Sequence, residues 1–135
     1  MLRVIAVTGA TGALGRRVVD RLTGREDVAL RLVVRDAARA PRVPGAEVAA
    51  APGGYADGPG LTAALAGVHT LYLVSAAEAE DRLQQHRTAV AAAAAAGVQR
   101  VVYTSFLGAA PDAVFALARQ HASTEEALAA TGVRT

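Results

Sequence analysis

Residues 4–15 read Val-Ile-Ala-Val-Thr-Gly-Ala-Thr-Gly-Ala-Leu-Gly, and this stretch decides the fold. The continuous apolar run at its start predicts a strand that is buried on both faces. Three glycines follow at a G-x-x-G-x-x-G spacing, and apolar residues then recur at helical spacing up to Leu22. A strand, a glycine-rich turn and an amphipathic helix in this order predict the first crossover of a parallel α/β sheet.

Each of the three glycines is needed for a different physical reason. Gly9 permits a tight turn off the strand, Gly12 lets the backbone approach a pyrophosphate, and Gly15 allows the helix to pack closely. The start of the helix also presents free N–H groups and a positive dipole end to phosphates. Unrelated turn glycines can produce the same spacing, but the flanking strand and helix make the pattern specific. We therefore predict that a dinucleotide is bound by Gly9, Thr11, Gly12, Ala13, Leu14 and Gly15.

The rest of the chain alternates between apolar runs and helical patterns. The pattern predicts further strands at residues 28–34, 46–50, 71–74 and 98–104. It predicts later helices at residues 61–66, 78–96 and 113–130. This alternation predicts an α/β fold, namely a Rossmann-type doubly wound parallel sheet of about five strands in one domain spanning residues 1–135.

The end of the second predicted strand indicates which dinucleotide is bound. An acidic residue at this point binds the ribose 2′-hydroxyl of NAD, whereas an Arg accommodates the 2′-phosphate of NADP. Arg35 occupies the strand tip and Arg39 follows one turn later, and a guanidinium can pair with phosphate through two parallel hydrogen bonds. We therefore predict NADP(H), with Arg35 and Arg39 as ligands. The alternative is NAD(H), with Asp36 on the 2′-hydroxyl and both arginines merely solvated.

Small polar residues follow the fourth and fifth predicted strands, where ligands of open α/β sheets bind. Ser75 follows the fourth strand, and Thr104 and Ser105 follow in the same way at the end of the fifth. We predict that Ser75 and Thr104 line the cofactor site and that Ser105 hydrogen-bonds a carbonyl of the substrate or of the carboxamide. A serine that simply caps the strand end is an equal alternative for Ser105.

His121 is the candidate for proton transfer. It belongs to a stripe of the last predicted helix, spaced 3, 4, 3 and 4, whose other members are Val114, Leu117, Thr124 and Leu128. Such a stripe should face the sheet or the cofactor, where an imidazole can relay a proton near neutral pH. The alternative is a hydrogen-bonded core histidine.

Composition excludes several classes of site. The chain has 135 residues, no Cys and no Lys, and all 14 of its cationic residues are Arg. A disulfide framework, a thiolate nucleophile and a catalytic ammonium group are therefore excluded. We interpret His86 as a core residue, expect no role for His69, and expect no metal, because the three histidines lack metal-ligand spacing.

Charge and hydropathy bound the partners and the location. The net charge is only +2 and the arginines are scattered, so we expect no nucleic-acid partner. No apolar run is long enough for a signal peptide or a membrane span. We therefore expect a cytoplasmic protein that does not bind a membrane.

Four segments, in this order, resemble the NmrA-like atypical short-chain dehydrogenase/reductases, and most of all their NAD(P)H:quinone oxidoreductase-type branch. They are residues 8–15, 33–36, 103–105 and 121–125. The resemblance implies NADPH as the cofactor. It also implies two-electron reduction of quinones in some members and cofactor sensing without chemistry in others.

The chain departs from the patterns of these proteins at three points. The Tyr-x-x-x-Lys pair of the larger superfamily is missing, because Leu107 stands four residues after Tyr103. His121 falls where related reductases carry a Lys, which implies that it lines the nicotinamide site. Gly54 stands where relatives usually have an Asp beside the adenine, so the resemblance implies that one adenine contact is lost.

Relatives continue beyond residues 132–135 into a sixth strand and a substrate-binding lobe. We therefore expect a sheet truncated before that strand, whose open fifth strand is a site of association, with a homodimer as one outcome. Our first functional hypothesis is an NADPH-dependent reductase of quinone-like acceptors, in which His121 and Ser105 serve the chemistry. The second is a non-catalytic NADP(H) sensor. A nucleotide-sugar epimerase or another extended dehydrogenase conflicts with the missing Tyr-x-x-x-Lys pair.

Overall fold

The sheet consists of parallel strands only. A computed structural model describes residues 2–135, and its strands are β1 (Arg3–Thr8), β2 (Val28–Val34), β3 (Glu47–Ala50), β4 (Thr70–Leu73) and β5 (Arg100–Tyr103). Their spatial order is β3-β2-β1-β4-β5. The helices are α1 (Ala13–Leu22), α2 (Gly58–Ala64), α3 (Arg82–Ala95) and α4 (Ala116–Thr131). The predicted Rossmann-type α/β fold with about five parallel strands is confirmed.

β1 lies at the centre of the sheet because it pairs with both β2 and β4. Thr8 at its end is opposite Val33 of β2, and Val7 is opposite Tyr72 of β4. The chain builds the sheet outward from β1 in two directions, which creates the switch point at which open α/β sheets bind ligands. Since all the strands are parallel, the loops that follow β1, β2, β4 and β5 meet at one edge of the sheet.

Each face of the sheet carries its own apolar core. Side chains alternate along a strand, so Ala6 packs on one face and Val7 on the other. Val19 of α1 packs with Val7, whereas apolar residues of α2, α3 and α4 pack with Ala6. Because both faces are covered, β1 contains a continuous apolar run rather than an alternating one, and β2 is apolar at every position except Arg31.

α3 and α4 each begin later than the sequence pattern predicts. α3 begins at Arg82 rather than at residue 78, because Nε of Arg82 donates to the carbonyl oxygen of Ala76 at 2.9 Å and holds the preceding loop in a non-helical path. α4 begins at Ala116 rather than at residue 113. There Nη1 of Arg119 donates to the carbonyl oxygens of Ala113 (2.6 Å) and Val114 (2.9 Å), which replaces helical hydrogen bonds.

Two further details of the predicted helices change. The prediction that Val114 lies on the inward stripe of α4 is wrong, because this residue precedes the helix and is 99% exposed. His121, Thr124 and Leu128 of the same stripe are buried, as predicted. α2 begins at residue 58 rather than 61, because the Asp57 carboxylate caps it by accepting a hydrogen bond from the backbone of its third residue.

β5 is the edge strand on one side of the sheet, and it is partly covered. The N–H of Val101 donates to the carbonyl oxygen of Arg134 at 2.8 Å, and Arg100 and Arg134 form an isolated parallel bridge. Val102 remains 37% exposed. The outer edge of β5 is therefore shielded at its first residues and open at its later ones. The open edge that the sequence predicts for the fifth strand is thus limited to the end of β5.

Gly15 has no room for a side chain, and this generates a prediction about stability. A Cβ at Gly15 would collide with the carbonyl oxygen of Gly9, whereas a Cβ at Gly12 would lie 3.4 Å from the same atom. We expect Gly15→Ala to lower the free energy of unfolding by about 1–3 kcal/mol, because overpacking pushes α1 away from β1. Gly12→Ala is the matched control and should lower it much less. Urea unfolding followed by circular dichroism measures both, and equal losses would contradict this packing constraint.

Candidate cofactor-binding site

The glycine loop after β1 leaves the start of α1 open. Gly9 has a φ of +66°, which suits glycine, and the N–H of Gly12 closes the turn on the carbonyl oxygen of Gly9 at 3.0 Å. Gly12 is the N-cap of α1, no side chain caps the helix, and no acidic residue occupies its first turn. The first N–H groups are thus available for an anion such as phosphate. These N–H groups are surrounded by Thr11, Ala13 and Leu14, which are exposed and which the sequence predicts as ligands of the dinucleotide.

Tyr55 ties the ends of β1 and β4 together beneath this loop. Its hydroxyl lies 2.6 Å from Oγ1 of Thr8 and donates to the carbonyl oxygen of Val74 at 2.5 Å. Oγ1 of Thr8 also accepts the N–H of Val74 at 3.0 Å. Burial raises the pKa of Tyr55 to about 12, so the phenol keeps its proton and remains a donor. Gly9 and Val74 are thereby held close together at the switch point.

Arg35 and Arg39 lie beyond β2 at the same edge of the sheet. Both are exposed, and neither has an acidic partner among residues 2–135. Oδ1 of Asp36 accepts the N–H of Ala38 at 2.9 Å and caps the 3₁₀ turn over residues 37–39. Because this carboxylate is already engaged with the local backbone, the arrangement favours the arginines over Asp36 as ligands of a ribose 2′-group.

Gly54 makes room for the side chain of Arg35. It has a φ of +62°, and a Cβ there would lie 3.0 Å from Cδ of Arg35. The aliphatic part of Arg35 therefore covers the position where the resemblance leads one to expect an Asp. A carboxylate at this position would be strained by the positive φ and would compete with a phosphate for the guanidinium.

The structure brings Ser75 and Thr104 together. Oγ1 of Thr104 accepts the N–H of Ser75 at 2.7 Å and lies 3.5 Å from the carbonyl oxygen of Leu73, so it joins the ends of β4 and β5. Ser105 follows directly and is exposed. Both strand ends thus contribute to the edge at which α1 begins, and the exposed Ser105 comes directly after them in the chain.

A buried arginine and a buried histidine hold the loop after β4. His86 is fully buried and Arg82 is 2% exposed. Nε2 of His86 accepts the N–H of Ala76 at 2.9 Å, and Nε of Arg82 donates to the carbonyl oxygen of the same residue. Nη1 of Arg82 donates to Oε1 of Gln120 at 3.0 Å, which joins α3 to α4. The peptide at Ala76 is therefore fixed on both sides.

His121 extends this network towards β5. Its Nε2 lies 3.2 Å from Nη2 of Arg82, and its Nδ1 lies 2.6 Å from the hydroxyl of Tyr103. The residue is 5% exposed. The structure thus places His121 on the inward face of α4, as the sequence predicts, and in contact with a tyrosine at the end of β5.

Burial and the positive charge of Arg82 determine the protonation of the two histidines. Burial, and then the charge of Arg82, lower the pKa of His86 to about 4. The same two causes lower the pKa of His121, against a smaller opposing effect of Glu125. Both imidazoles are therefore neutral at pH 7. Burial raises the pKa of Tyr103, so its phenol is protonated at that pH.

Arg82 and Tyr55 are site residues that the sequence reasoning missed. Arg82 sits among polar residues at the start of a helix, where a solvated side chain is the ordinary expectation. Tyr55 is the single aromatic residue of the Gly- and Pro-rich stretch over residues 52–60, and that isolation is the signal that could have found it. The interpretation of His86 as a core residue agrees with its burial and its hydrogen bonds.

Neither a metal cluster nor a membrane span is found in the described part of the chain. Among residues 2–135, no group of three or more His, Cys, Asp or Glu side chains could hold a metal ion. No helix within that range is both long enough and apolar enough to cross a bilayer.

Comparison with known proteins identifies the class of protein that this fold and site define. A family model described as NAD(P)H-binding matches residues 9–134. The chain therefore belongs to the NAD(P)H-binding family, and the prediction that its cofactor is a nicotinamide dinucleotide is confirmed.

Individual relatives agree with the resemblance to the quinone oxidoreductase-type branch. The chain is 38% identical to quinone oxidoreductase 2 of Escherichia coli (strain K12) over 131 residues, which are 96% of this chain and 46% of that protein. It superposes with a TM-score of 0.83 and 39% identity on a crystal structure of the NADPH-dependent quinone oxidoreductase of Escherichia coli complexed with NADPH, covering 96% and 46% of the two chains. The chain thus spans about half the length of the relatives it matches.

The likeness to NmrA extends to the fold. A crystal structure of NmrA, a negative transcriptional regulator, matches with a TM-score of 0.79 at 19% identity, over 98% of this chain and 44% of that one. At this identity the comparison describes the architecture alone. The resemblance to NmrA-like proteins is therefore confirmed at the level of the fold. The sequence identity to the quinone oxidoreductase of Escherichia coli is higher than the identity to NmrA.

The lowered pKa of His86 predicts how stability depends on pH. In the unfolded chain His86 binds a proton below a pH of about 6.5, whereas in the folded protein it does so only near pH 4. Its contribution is therefore fully present above pH 6.5 and is lost as the pH falls to 4. We expect a loss of about 2–3 kcal/mol in the free energy of unfolding over this range.

Urea unfolding at a series of pH values measures this dependence, and His86→Asn should remove this part of it. An NMR titration of the folded protein gives the pKa of the His86 ring directly, with His69→Gln used to assign the signals. A folded-state midpoint near 6.5 for His86 would contradict the prediction.

Proposed function

We propose that the protein containing this chain is an NADPH-dependent oxidoreductase that transfers a hydride to a quinone-like acceptor. The observation that carries the proposal is the uncapped start of α1, with Arg35 lying over Gly54 at the same sheet edge. Within residues 2–135 this arginine has no acidic partner. This edge fits a dinucleotide that bears a 2′-phosphate. The 38% identity to quinone oxidoreductase 2 of Escherichia coli supports the choice of acceptor.

Each predicted ligand has a separate role in this proposal. The N–H groups behind Gly12 would hold the pyrophosphate, and Arg35 and Arg39 would hold the 2′-phosphate. Ser75 and Thr104 would line the nicotinamide end through the joined ends of β4 and β5. The bound cofactor supplies the hydride, and the chain's own residues orient it and exclude water.

Ser105 and His121 are the residues proposed to serve the chemistry. The exposed Ser105 would hydrogen-bond a carbonyl oxygen of the acceptor or of the carboxamide. His121 lies deeper, with both ring nitrogens within hydrogen-bond distance of protein groups, so it would act through those groups.

A non-catalytic NADP(H) sensor is the second candidate. The observation that favours it is the neutral, fully hydrogen-bonded state of His121, combined with the absence of Lys from the chain.

Four further expectations stay predictions. They are a cytoplasmic location, the absence of a nucleic-acid partner, a homodimer formed through the open part of β5, and the single-domain organisation of residues 1–135.

The role of Arg35 predicts a difference between the two cofactors. Arg35→Ala should weaken NADPH binding about ten- to a hundredfold, because a hydrogen bond to a charged group contributes about 1.5–3 kcal/mol. NADH binding should stay nearly unchanged, because NADH has no 2′-phosphate. Isothermal titration calorimetry with both cofactors measures this. Arg42→Ala, an exposed arginine in the following loop, is the matched control. Equal losses for NADPH and NADH would contradict the assignment.

Turnover separates the reductase from the sensor. The protein containing this chain should oxidise NADPH when a benzoquinone is added, with the loss of absorbance at the nicotinamide band as the readout. Tight NADPH binding with no turnover against any quinone would contradict the reductase and support the sensor.

A further inference from the structure

The ring of His121 is enclosed on both of its nitrogens and on one face. Nη2 of Arg82 lies 3.2 Å from Nε2, and the hydroxyl of Tyr103 lies 2.6 Å from Nδ1. The ring of Phe106 stacks on the imidazole with the two centroids 6.0 Å apart and the planes 17° apart. A substrate therefore has no free ring nitrogen of His121 to bind.

The contact with Arg82 fixes the tautomer of His121. A guanidinium can only donate hydrogen bonds, so Nε2 of His121 must accept from Arg82. In a neutral imidazole the proton then resides on Nδ1. This N–H donates to the oxygen of Tyr103, and the phenol is the acceptor in that hydrogen bond.

A backbone contact fixes the tautomer of His86 in the same way. Nε2 of His86 accepts the N–H of Ala76, so its proton also resides on Nδ1. This N–H donates to Oγ1 of Thr124 at 2.9 Å and lies 3.4 Å from the oxygen of Tyr103. The hydroxyl of Thr124 in turn donates to the carbonyl oxygen of Gln120 at 3.1 Å.

The oxygen of Tyr103 therefore faces two imidazole N–H groups, and neither of them can accept the phenolic proton. Tyr103 is partly exposed and ends β5, directly before Thr104, which joins the loop after β4. We propose, on the basis of the proposed reductase function, that Tyr103 is the proton donor to the reduced acceptor and that His121 and Arg82 are its positioning residues.

The proton step balances with hydride transfer to a quinone. The hydride forms a bond to one carbonyl oxygen of the quinone, and the two electrons that it brings leave the other oxygen anionic. The O–H bond of Tyr103 breaks, and a new O–H bond forms on that oxygen to give the hydroquinone. The tyrosinate left behind is stabilised by the N–H groups of His121 and His86 and by the charge of Arg82, and it regains a proton from water.

The protonation states support this assignment of donor and positioning residues. Burial raises the pKa of Tyr103, so the phenol carries its proton at neutral pH, while the charge of Arg82 opposes that rise and reduces the cost of releasing the proton. An imidazolium at His121 would direct a second N–H against Arg82, which is why the ring stays neutral and does not supply the proton itself.

The first test measures the tautomers and needs no turnover. NMR of the 135-residue chain with ¹⁵N-labelled histidine should show His86 and His121 with the proton on Nδ1, from pH 8 down to about 6. The groups that face His121 during this titration are Arg82, Tyr103, Glu125 and the ring of His86. A proton on Nε2 of His121, or its conversion to imidazolium near pH 6.5, would overturn the proposal.

The second test is kinetic. Tyr103→Phe should lower kcat for quinone reduction about a hundredfold or more, with the Kd for NADPH unchanged. His121→Gln should lower kcat as well, and the double variant should be no slower than Tyr103→Phe, because the two residues act as one unit. Tyr72→Phe, in the adjacent strand β4, is the matched control and should leave kcat unchanged.

A tyrosine analogue keeps the test decisive if Tyr103→Phe fails to fold. Fluorotyrosine at position 103 retains the ring and the hydroxyl but has a more acidic phenol, so the alkaline limb of the kcat–pH profile should move to lower pH. An unmoved limb would overturn the proposal.

The outcomes distinguish this proposal from the proposed function. If the wild-type protein reduces quinones and Tyr103→Phe does so equally fast, proton donation by Tyr103 is overturned and the reductase stands. If the wild-type protein binds NADPH and reduces no quinone, both are overturned.

Discussion

The close approach of α1 to the end of β1 is the contact on which the remaining structure depends. It exists because Gly15 has no side chain to displace the carbonyl oxygen of Gly9. On its other side Gly9 lies against Val74, where a Cβ would approach the valine Cβ to 3.1 Å. Tyr55 then ties β1 to β4. The phosphate end of the site is thus set by backbone packing that leaves no space for a methyl group.

A second constraint governs the opposite end of the site, where Arg82 is buried and no acidic side chain of the described residues 2–135 pairs with it. A buried charge is tolerated only when hydrogen bonds replace its hydration. Here the replacements are the carbonyl oxygen of Ala76, the amide oxygen of Gln120 and the imidazole of His121. The same interactions fix the loop after β4 and keep His121 neutral. The guanidinium of Arg82 therefore fixes the loop at the candidate cofactor site and also favours the neutral form of the adjacent His121.

The sequence predicted the elements that depend on local order and missed those that depend on distant partners. The strand over residues 28–34 is found at the predicted bounds, because six of its seven residues are apolar and this enrichment is a local signal. The start of α3 is shifted to Arg82, because a hydrogen bond to the preceding loop outweighs helix propensity there. Val114 is exposed although it fits the helical stripe, since periodicity does not locate the start of a helix.

The sequence by itself determined the glycine loop, the order of strands and helices, and the arginine at the tip of β2. These features follow from spacings of a few residues, which covalent geometry converts directly into turns, helices and strands. The tertiary structure decided the state of the buried polar groups. Tyr103 and His121 are 18 residues apart, and Arg82 and His121 are 39 apart. Which nitrogen of a histidine carries the proton depends on donors that only folding brings within 3 Å or so, and no local pattern encodes that choice.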